Sequence, residues 1–400
     1  MEAVTVCEDQ VTRVTMPKWG LSMKTGRITE WLAAEGQEVE EGDDLAEIDT
    51  DKIAGTLEAP GAGVLRRIVA AAGGDAPVGR VIALIAPAEV PDAEIERLAA
   101  EARDHLAAGL PAADEDSPVT GTVRVAGTAL AYATSGAGER AGEQETERAG
   151  EQSGEPEIVL VHGFGGDKNS WLFVQEPLAA HHTVHALDLP GHGESGKEVG
   201  DGGLAALARL VTGFLDALGI GRAHLVGHSL GGAVCVAAAA LAPDRVASLT
   251  LVAPAGFGPD VDASYLRGFA AAGNRRELRP QLVKLFADES RVTRQLIDDL
   301  LKYKRLDGVD RALRTLLDTL LDEDDAPAID VTDLLRGPAA AVPVVALWGE
   351  KDRIIPASNA ASLTDTADVR MIPDTGHMPH METPGEVVRA IEASVLRATP

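Results

Sequence analysis

A 37-residue offset lays one stretch of this chain onto the next: Gly26, Gly36 and Gly42 fall on Gly63, Gly73 and Gly79. In the same register Trp31-Leu32-Ala33-Ala34 falls on Ile68-Val69-Ala70-Ala71, and Leu45-Ala46-Glu47-Ile48 on Ile82-Ala83-Leu84-Ile85. Alternating apolar residues between glycines predict short strands and turns, so each half reads as a small antiparallel sheet. A single sheet of this size leaves an apolar face in water, whereas two facing halves cover each other. The halves are joined by Glu47-Ile48-Asp49-Thr50-Asp51-Lys52-Ile53-Ala54, an Asp-rich turn that presents Lys52 at a hairpin tip. A lysine on a loop is ordinarily a solvated charge. The repeat, the turn and the upstream Met16-Pro17-Lys18-Trp19-Gly20 set this one apart.

Together these residues resemble the lipoyl domain of 2-oxo acid and acetoin dehydrogenase complexes, an all-β flattened barrel of lipoyl/biotinyl type, across residues 11–87. The related biotinyl domain sets its target lysine between two methionines. Asp51 and Ile53 flank Lys52 here, which favours lipoyl. The resemblance implies lipoic acid held covalently on Lys52 (N6-lipoyllysine), a dithiolane on a long arm that ferries acyl groups as thioesters between active sites. Lys18 and Lys24 lie on the loop side of the same module and are the alternative positions.

Lys and Arg total 36 against 63 acids, a formal charge of −27, which argues against nucleic acid or anionic membrane as a partner. Cys7 and Cys235 supply neither a disulfide framework nor a metal-ligand pattern, which suits a reducing cytoplasm. The N-terminal stretch has no basic-then-apolar signal, and the most apolar run, residues 233–241, is too short to span a bilayer. A cytoplasmic protein is expected.

Between Pro87 and Pro118 the pattern changes. Ile95, Leu98, Ala99, Ala102 and Leu106 recur at helical spacing, predicting one linker helix within residues 88–118 and a flexible tail behind it. No segment there matches a peripheral-subunit-binding domain. Residues 136–156 repeat Glu139-Arg140-Ala141-Gly142-Glu143-Gln144 as Glu147-Arg148-Ala149-Gly150-Glu151-Gln152 and hold no large apolar residue. They predict a disordered insertion in a hairpin loop, a place where added length costs little.

From Ile158 onward apolar runs alternate with helical stretches, the pattern of a mostly parallel sheet covered by helices. Ala223-His224-Leu225-Val226 leads into Gly227-His228-Ser229-Leu230-Gly231-Gly232 and then an Ala-rich helix. A serine on so sharp a turn needs small neighbours, and the helix start offers amides to developing negative charge. Such a nucleophile also needs a base and a group that orients the base. Asp352, in Trp348-Gly349-Glu350-Lys351-Asp352, and His377, in Asp374-Thr375-Gly376-His377, each follow a later apolar strand.

The set resembles the α/β-hydrolase superfamily over residues 119–400, with a helical cap across 257–337. That resemblance implies Ser229 as nucleophile, Asp352 as acid and His377 as base. It also implies the backbone amides of Phe164, in His162-Gly163-Phe164-Gly165-Gly166, and of Leu230 as the oxyanion hole. His380 is the rival base, and Glu350 and Asp374 are rival acids. His162 reads as a brace for its loop, Ser195 as a turn residue and Cys235 as a packed thiol. No metal is expected.

A lipoyl domain joined to an α/β-hydrolase-like domain resembles the acetyltransferase subunits of acetoin dehydrogenase complexes. The resemblance implies transfer of an acetyl group from lipoyl-Lys52 to coenzyme A through the triad, in acetoin catabolism. It implies as partners a thiamine diphosphate-dependent enzyme that cleaves acetoin and a dihydrolipoamide dehydrogenase that reoxidises the arm, in a homo-oligomeric assembly. The His-x-x-x-Asp-Gly motif of pyruvate-type acyltransferases does not occur, so any transfer falls to the triad domain. A thioester hydrolase with a tethered lipoyl module and a non-catalytic scaffold are the competing readings. Between Arg267 and Arg314 lie 12 basic and 7 acidic residues, densest at Arg275, Arg276, Lys302, Lys304 and Arg305. This excess is either a set of solvated helix faces or a field attracting the coenzyme A nucleotide and the acidic lipoyl tip.

Overall fold

The computed structural model describes residues 11–16, 25–40, 42–49, 54–107, 118–136 and 156–398, in two units, Met1–Glu115 and Asp116–Pro400. Lys52, its alternatives Lys18 and Lys24, and residues 137–155 of the expected insertion lie outside the described residues.

The first unit holds β1 (Thr12–Thr15), β2 (Thr25–Trp31), β3 (Glu38–Val39), β4 (Asp44–Asp49), β5 (Ala54–Glu58), β6 (Gly63–Ile68), β7 (Asp75–Pro77) and β8 (Val81–Ala86). They form two antiparallel sheets, ordered β1-β8-β6-β3 and β5-β4-β2-β7. The repeat becomes a paired core. Ile28 and Leu65, Ala33 and Ala70, Leu45 and Ile82, and Ile48 and Ile85 are all buried between the sheets. Reciprocal hydrogen bonds tie the halves, Gly36 N to Leu65 O at 2.8 Å and Gly73 N to Ile28 O at 2.6 Å.

The halves are not separate sheets, as the repeat alone suggests. The short strand β3 of the first half pairs with β6 of the second, and β7 pairs back with β2. Exchanging the short strands lets each half complete the sheet of the other.

The helix expected as a linker, α1 (Asp92–Ala107), is a cover instead. Its Ile95, Leu98 and Ala99 pack with Leu84, Ala86 and Val90, on the face of β8 turned away from the inter-sheet core. Arg66 reaches Pro87 O at 2.7 Å and the Asp92 carboxylate at 2.6 Å, and Arg67 pairs with Glu96. Burying Ile95 and Leu98 stabilises this docking by about 1.5–3 kcal/mol each.

The second unit is built on β9 (Val119–Val125), β10 (Thr128–Ser135), β11 (Glu157–Val161), β12 (Val184–Leu187), β13 (Ala223–His228), β14 (Val246–Val252), β15 (Val344–Gly349) and β16 (Asp368–Ile372). The sheet order is β16-β15-β14-β13-β11-β12-β10-β9, with β10 antiparallel to both of its neighbours, β9 and β12, and the other pairs parallel. The parallel strands β11 to β15 are buried along nearly their whole length because helices cover both faces. On one face lie α2 (Leu172–Ala179) and, from the end of the chain, Pro384–Ala398; on the other lie α3 (Leu204–Ala217) and α4 (Leu230–Leu241). Between β14 and β15 come α5 (Ala263–Ala271), α6 (Arg275–Leu285), α7 (Arg294–Lys304), α8 (Val309–Leu320) and α9 (Thr332–Arg336). Two last helices follow β16, α10 (Pro379–Glu382) and α11 (Pro384–Ala398). The strand order reverses beside β11, so the loops leaving β11 and β13 part there and open a crevice.

Candidate active site

Ser229 stands between β13 and α4 at φ 51° and ψ −119°, a conformation that costs a non-glycine residue roughly 1–3 kcal/mol. Packing enforces it. Ser229 N donates to Val252 O at 3.0 Å, and Ser229 O accepts from Gly232 N at 2.9 Å and Ala255 N at 3.0 Å. The small neighbours are obligatory. A Cβ on Gly227 would strike the Gly231 carbonyl, one on Gly231 the Val161 carbonyl, and one on Gly232 would lie 2.7 Å from Pro254.

Asp352 follows β15 and His377 follows β16, and the structure joins them, with His377 Nδ1 2.8 Å from Asp352 Oδ2. The other carboxylate oxygen accepts from Ile354 N at 2.8 Å and Ile355 N at 3.0 Å, which fixes its orientation. With Nδ1–H donating to the carboxylate, the lone pair of His377 sits on Nε2. His377 N donates to Leu285 O of α6 at 2.8 Å, and its carbonyl accepts from His228 Nε2 at the same distance. His228 therefore couples the residue next to the serine to the backbone of the histidine. Burial first, then the nearby His380 and His377, hold the His228 pKa well below its ordinary value, so it stays neutral.

The rivals stand elsewhere. His380 is buried between Trp171 and His228, each ring centroid 4.5 Å away, and among the described residues neither of its nitrogens has a hydrogen-bond partner. Burial, with His377 nearby, pushes its pKa down to about 3. Asp374 is an exposed turn residue paired with Lys351 at 2.7 Å, and Glu350 is exposed. Ser195 is buried and spent on Asp188 O and Ala131 N, and the buried Cys235 thiol is pushed far up by desolvation.

Phe164, Ser229 and Leu230 border one cavity of about 40 Å³, with Leu266, Leu320, Ile329 and Ile354 making its apolar wall. It has room for an acyl group of a few atoms. Leu230 opens α4, so its amide has no helical acceptor one turn back. Asn359 also lines the cavity; its Nδ2 donates to Asp260 O at 2.7 Å, and its buried Oδ1 has no partner among the described residues.

His162 braces the Phe164 loop, its Nε2 accepting from Leu189 N at 3.0 Å and its Nδ1 meeting Gly163 O at 2.8 Å. Three further braces escape a reading of the sequence. His192 Nε2 accepts from Gly165 N at 3.0 Å. Buried Lys168 joins Asp188 at 3.0 Å and Glu194 at 2.8 Å; burial opposes its charge, but Asp188 and Glu194 outweigh that and raise its pKa. Glu382 accepts from Gly376 N at 2.9 Å and Ala287 N at 2.8 Å, clamping the histidine loop to the cap. The Asp188-Leu189-Pro190-Gly191-His192 loop offered a signal for His192; the other two act between loops distant in sequence.

Residues 156–384 match the family model for the alpha/beta hydrolase fold, and residues 12–85 match the biotin/lipoyl model described as biotin-requiring enzyme. The chain is thus a biotin/lipoyl domain followed by an α/β-hydrolase-fold domain. A meta-cleavage product hydrolase from Pseudomonas fluorescens superposes with a TM-score of 0.59 at 20% identity, over 71% of this chain and 99% of its own, a likeness of fold. The dihydrolipoyllysine-residue acetyltransferase component of the acetoin cleaving system of Pseudomonas putida is 44% identical over 378 residues, covering 94% of this chain and 96% of its own. The component of the same name from Cupriavidus necator is 42% identical over 377 residues, 92% of this chain and 93% of its own. The chain belongs to the family of dihydrolipoyllysine-residue acetyltransferase components of acetoin cleaving systems.

Proposed function

We propose that the chain transfers acetyl groups from a lipoyl arm on Lys52 to coenzyme A during acetoin cleavage, with Ser229 as nucleophile, His377 as base and Asp352 as its orienter. One observation carries the reading: a histidine held by a buried carboxylate, its backbone carbonyl bonded to the residue that precedes a serine on a strained turn lining a small apolar cavity.

β4 ends at the exposed Asp49, opposite Ala54 of β5, so the stretch bearing Lys52 begins and ends at a sheet rim, which suits a lysine that carries an arm. Lipoic acid on Lys52 would supply a dithiol that presents the acyl group as a thioester. His377 Nε2 takes the Ser229 proton as Oγ attacks the thioester carbonyl, and the amides of Phe164 and Leu230 receive the oxyanion. The C–S bond breaks and His377 returns the proton to the departing thiol, leaving acetyl on Ser229. His377 then takes the proton of the coenzyme A thiol, whose sulfur attacks the ester. Acetyl-coenzyme A leaves as His377 reprotonates Ser229.

The same reading calls for a separate thiamine diphosphate-dependent enzyme and a dihydrolipoamide dehydrogenase, in a homo-oligomeric assembly in the cytoplasm. The relatives are named components of a cleaving system, and no helix among the described residues is long and apolar enough to cross a membrane. The test is an assay of the lipoylated protein with acetyl-dihydrolipoamide, with and without coenzyme A. Acetyl-coenzyme A as the main product supports transfer. Free acetate at the same rate in both arms makes the enzyme a hydrolase, and no turnover at all makes it a carrier.

A further inference from the structure

We infer that a cationic groove between α6 and α7 is the binding site for the phosphates of coenzyme A, an assignment that rests on the acyl transfer proposed above. The groove has a volume of about 610 Å³ and is lined by Arg275, Arg276, Lys302 and Arg305, with Asp298 as its one carboxylate.

The structure sorts the positive charges of this region. Arg275 is taken by Asp298, and Lys302 pairs with Asp299 at 3.0 Å. Lys304 is turned inward, donating to Phe269 O at 2.7 Å and Ala270 O at 3.1 Å, and does not line the groove. Arg276 and Arg305 are exposed and, among the described residues, make no ion pair. A chain of formal charge −27 offers carboxylates widely, yet these two forks face a concavity whose one carboxylate, Asp298, is already taken by Arg275. Guanidinium groups match phosphate oxygens two at a time, and the site stands out as positive on a surface that repels polyanions elsewhere.

The groove also connects to the serine. Lys304, the neighbour of Arg305, holds its ammonium 4.9 Å from the centre of the Phe269 ring. That ring is 6.0 Å from Phe164, which shares the cavity with Ser229. A nucleotide anchored at Arg276 and Arg305 is thereby linked by a run of packed side chains to the cavity of the nucleophile, and the pantetheine arm must span from one to the other. The acyl donor acetyl-dihydrolipoamide carries no charge, so the groove acts on the acceptor alone.

The experiment uses the full-length lipoylated protein and its Arg276→Glu/Arg305→Glu variant, with acetyl-dihydrolipoamide as donor. Coenzyme A and pantetheine, which lacks the nucleotide, serve as acceptors. The KM for coenzyme A should rise about tenfold in the variant at roughly 0.01 M salt, as partly screened attractions become repulsions. The rise should shrink strongly at roughly 1 M salt, while pantetheine kinetics stay unchanged. Calorimetric titration with adenosine 3′,5′-bisphosphate gives a readout free of turnover: binding to the parent protein, lost in the variant. An unchanged KM for coenzyme A, equal damage with both acceptors, or bisphosphate binding that ignores the substitutions overturns the assignment. If pantetheine too accepts no acetyl from the parent protein, the transfer reading fails, and the bisphosphate titration alone decides the groove.

Discussion

Glycines do opposite work in the two units. In the first, Gly36, Gly42, Gly73 and Gly79 take φ of 87°, 91°, 81° and 79°, and a Cβ on any of them would meet nothing within 4 Å. They are needed for the direction of the chain, and the 37-residue repeat follows from using the same turns twice. In the second unit Gly227, Gly231 and Gly232 are needed for room, because strand, helix and loop close on Ser229 from three sides. The turns of the first unit are therefore set locally, and the chemistry proposed for it hangs on one lysine, Lys52. The second is specified by contacts between segments far apart in sequence, and its chemistry needs all of them at once.

The largest effect that could break this comparison is on turnover. Ser229→Ala should lower conversion of free acetyl-dihydrolipoamide by roughly 10⁴-fold or more and leave covalent loading of Lys52 intact. Asp352→Asn should be severe but leave more residual activity, since that carboxylate orients His377 rather than reacting. Lys52→Ala should do the reverse, removing one lipoyl group from the intact mass while the free substrate is still turned over. A lipoyl group that survives in the Lys52 variant, or a free substrate that is no longer converted, would mean the two units do not divide the work.

A smaller effect sharpens it. Gly231→Ala should destabilise the second unit by about 3 kcal/mol or more, because the methyl group meets the Val161 carbonyl, which cannot rotate away. Gly36→Ala should cost the first unit only about 1–2 kcal/mol, the penalty of a left-handed residue with free space around it. Denaturant midpoints of the two variants measure the difference. Equal losses would erase the distinction between glycines of direction and glycines of room.

The repeat was legible down to individual core pairs such as Leu45 with Ile82, since both the alternation and the glycine turns lie in sequence. So were the serine turn and the two later loops, because their signals are local: small residues around Ser229, and a strand before Asp352 and His377. The exchange of β3 and β7 was not legible, as two short strands pair equally well within or across halves until a third dimension decides. A helix that covers a sheet carries the same apolar stripe as one that merely connects, which hid the docking of α1. Counting charge along the cap gave Lys304 the same weight as Arg305, and only packing turns one inward and leaves the other out. Nothing local marks Lys168, whose partners Asp188 and Glu194 come from another loop, or Glu382, which reaches Ala287 of the cap.

The central claim is that acetyl passes through Ser229, and mass spectrometry of the quenched enzyme tests it most directly. The lipoylated protein is mixed with acetyl-dihydrolipoamide without coenzyme A, stopped in acid and mapped by peptide. The account predicts one acetyl group on the peptide containing Ser229, absent from the Ser229→Ala variant, and discharged as acetyl-coenzyme A when coenzyme A is added before the quench. Acetyl-coenzyme A forming at a near-normal rate in the Ser229→Ala variant would contradict it.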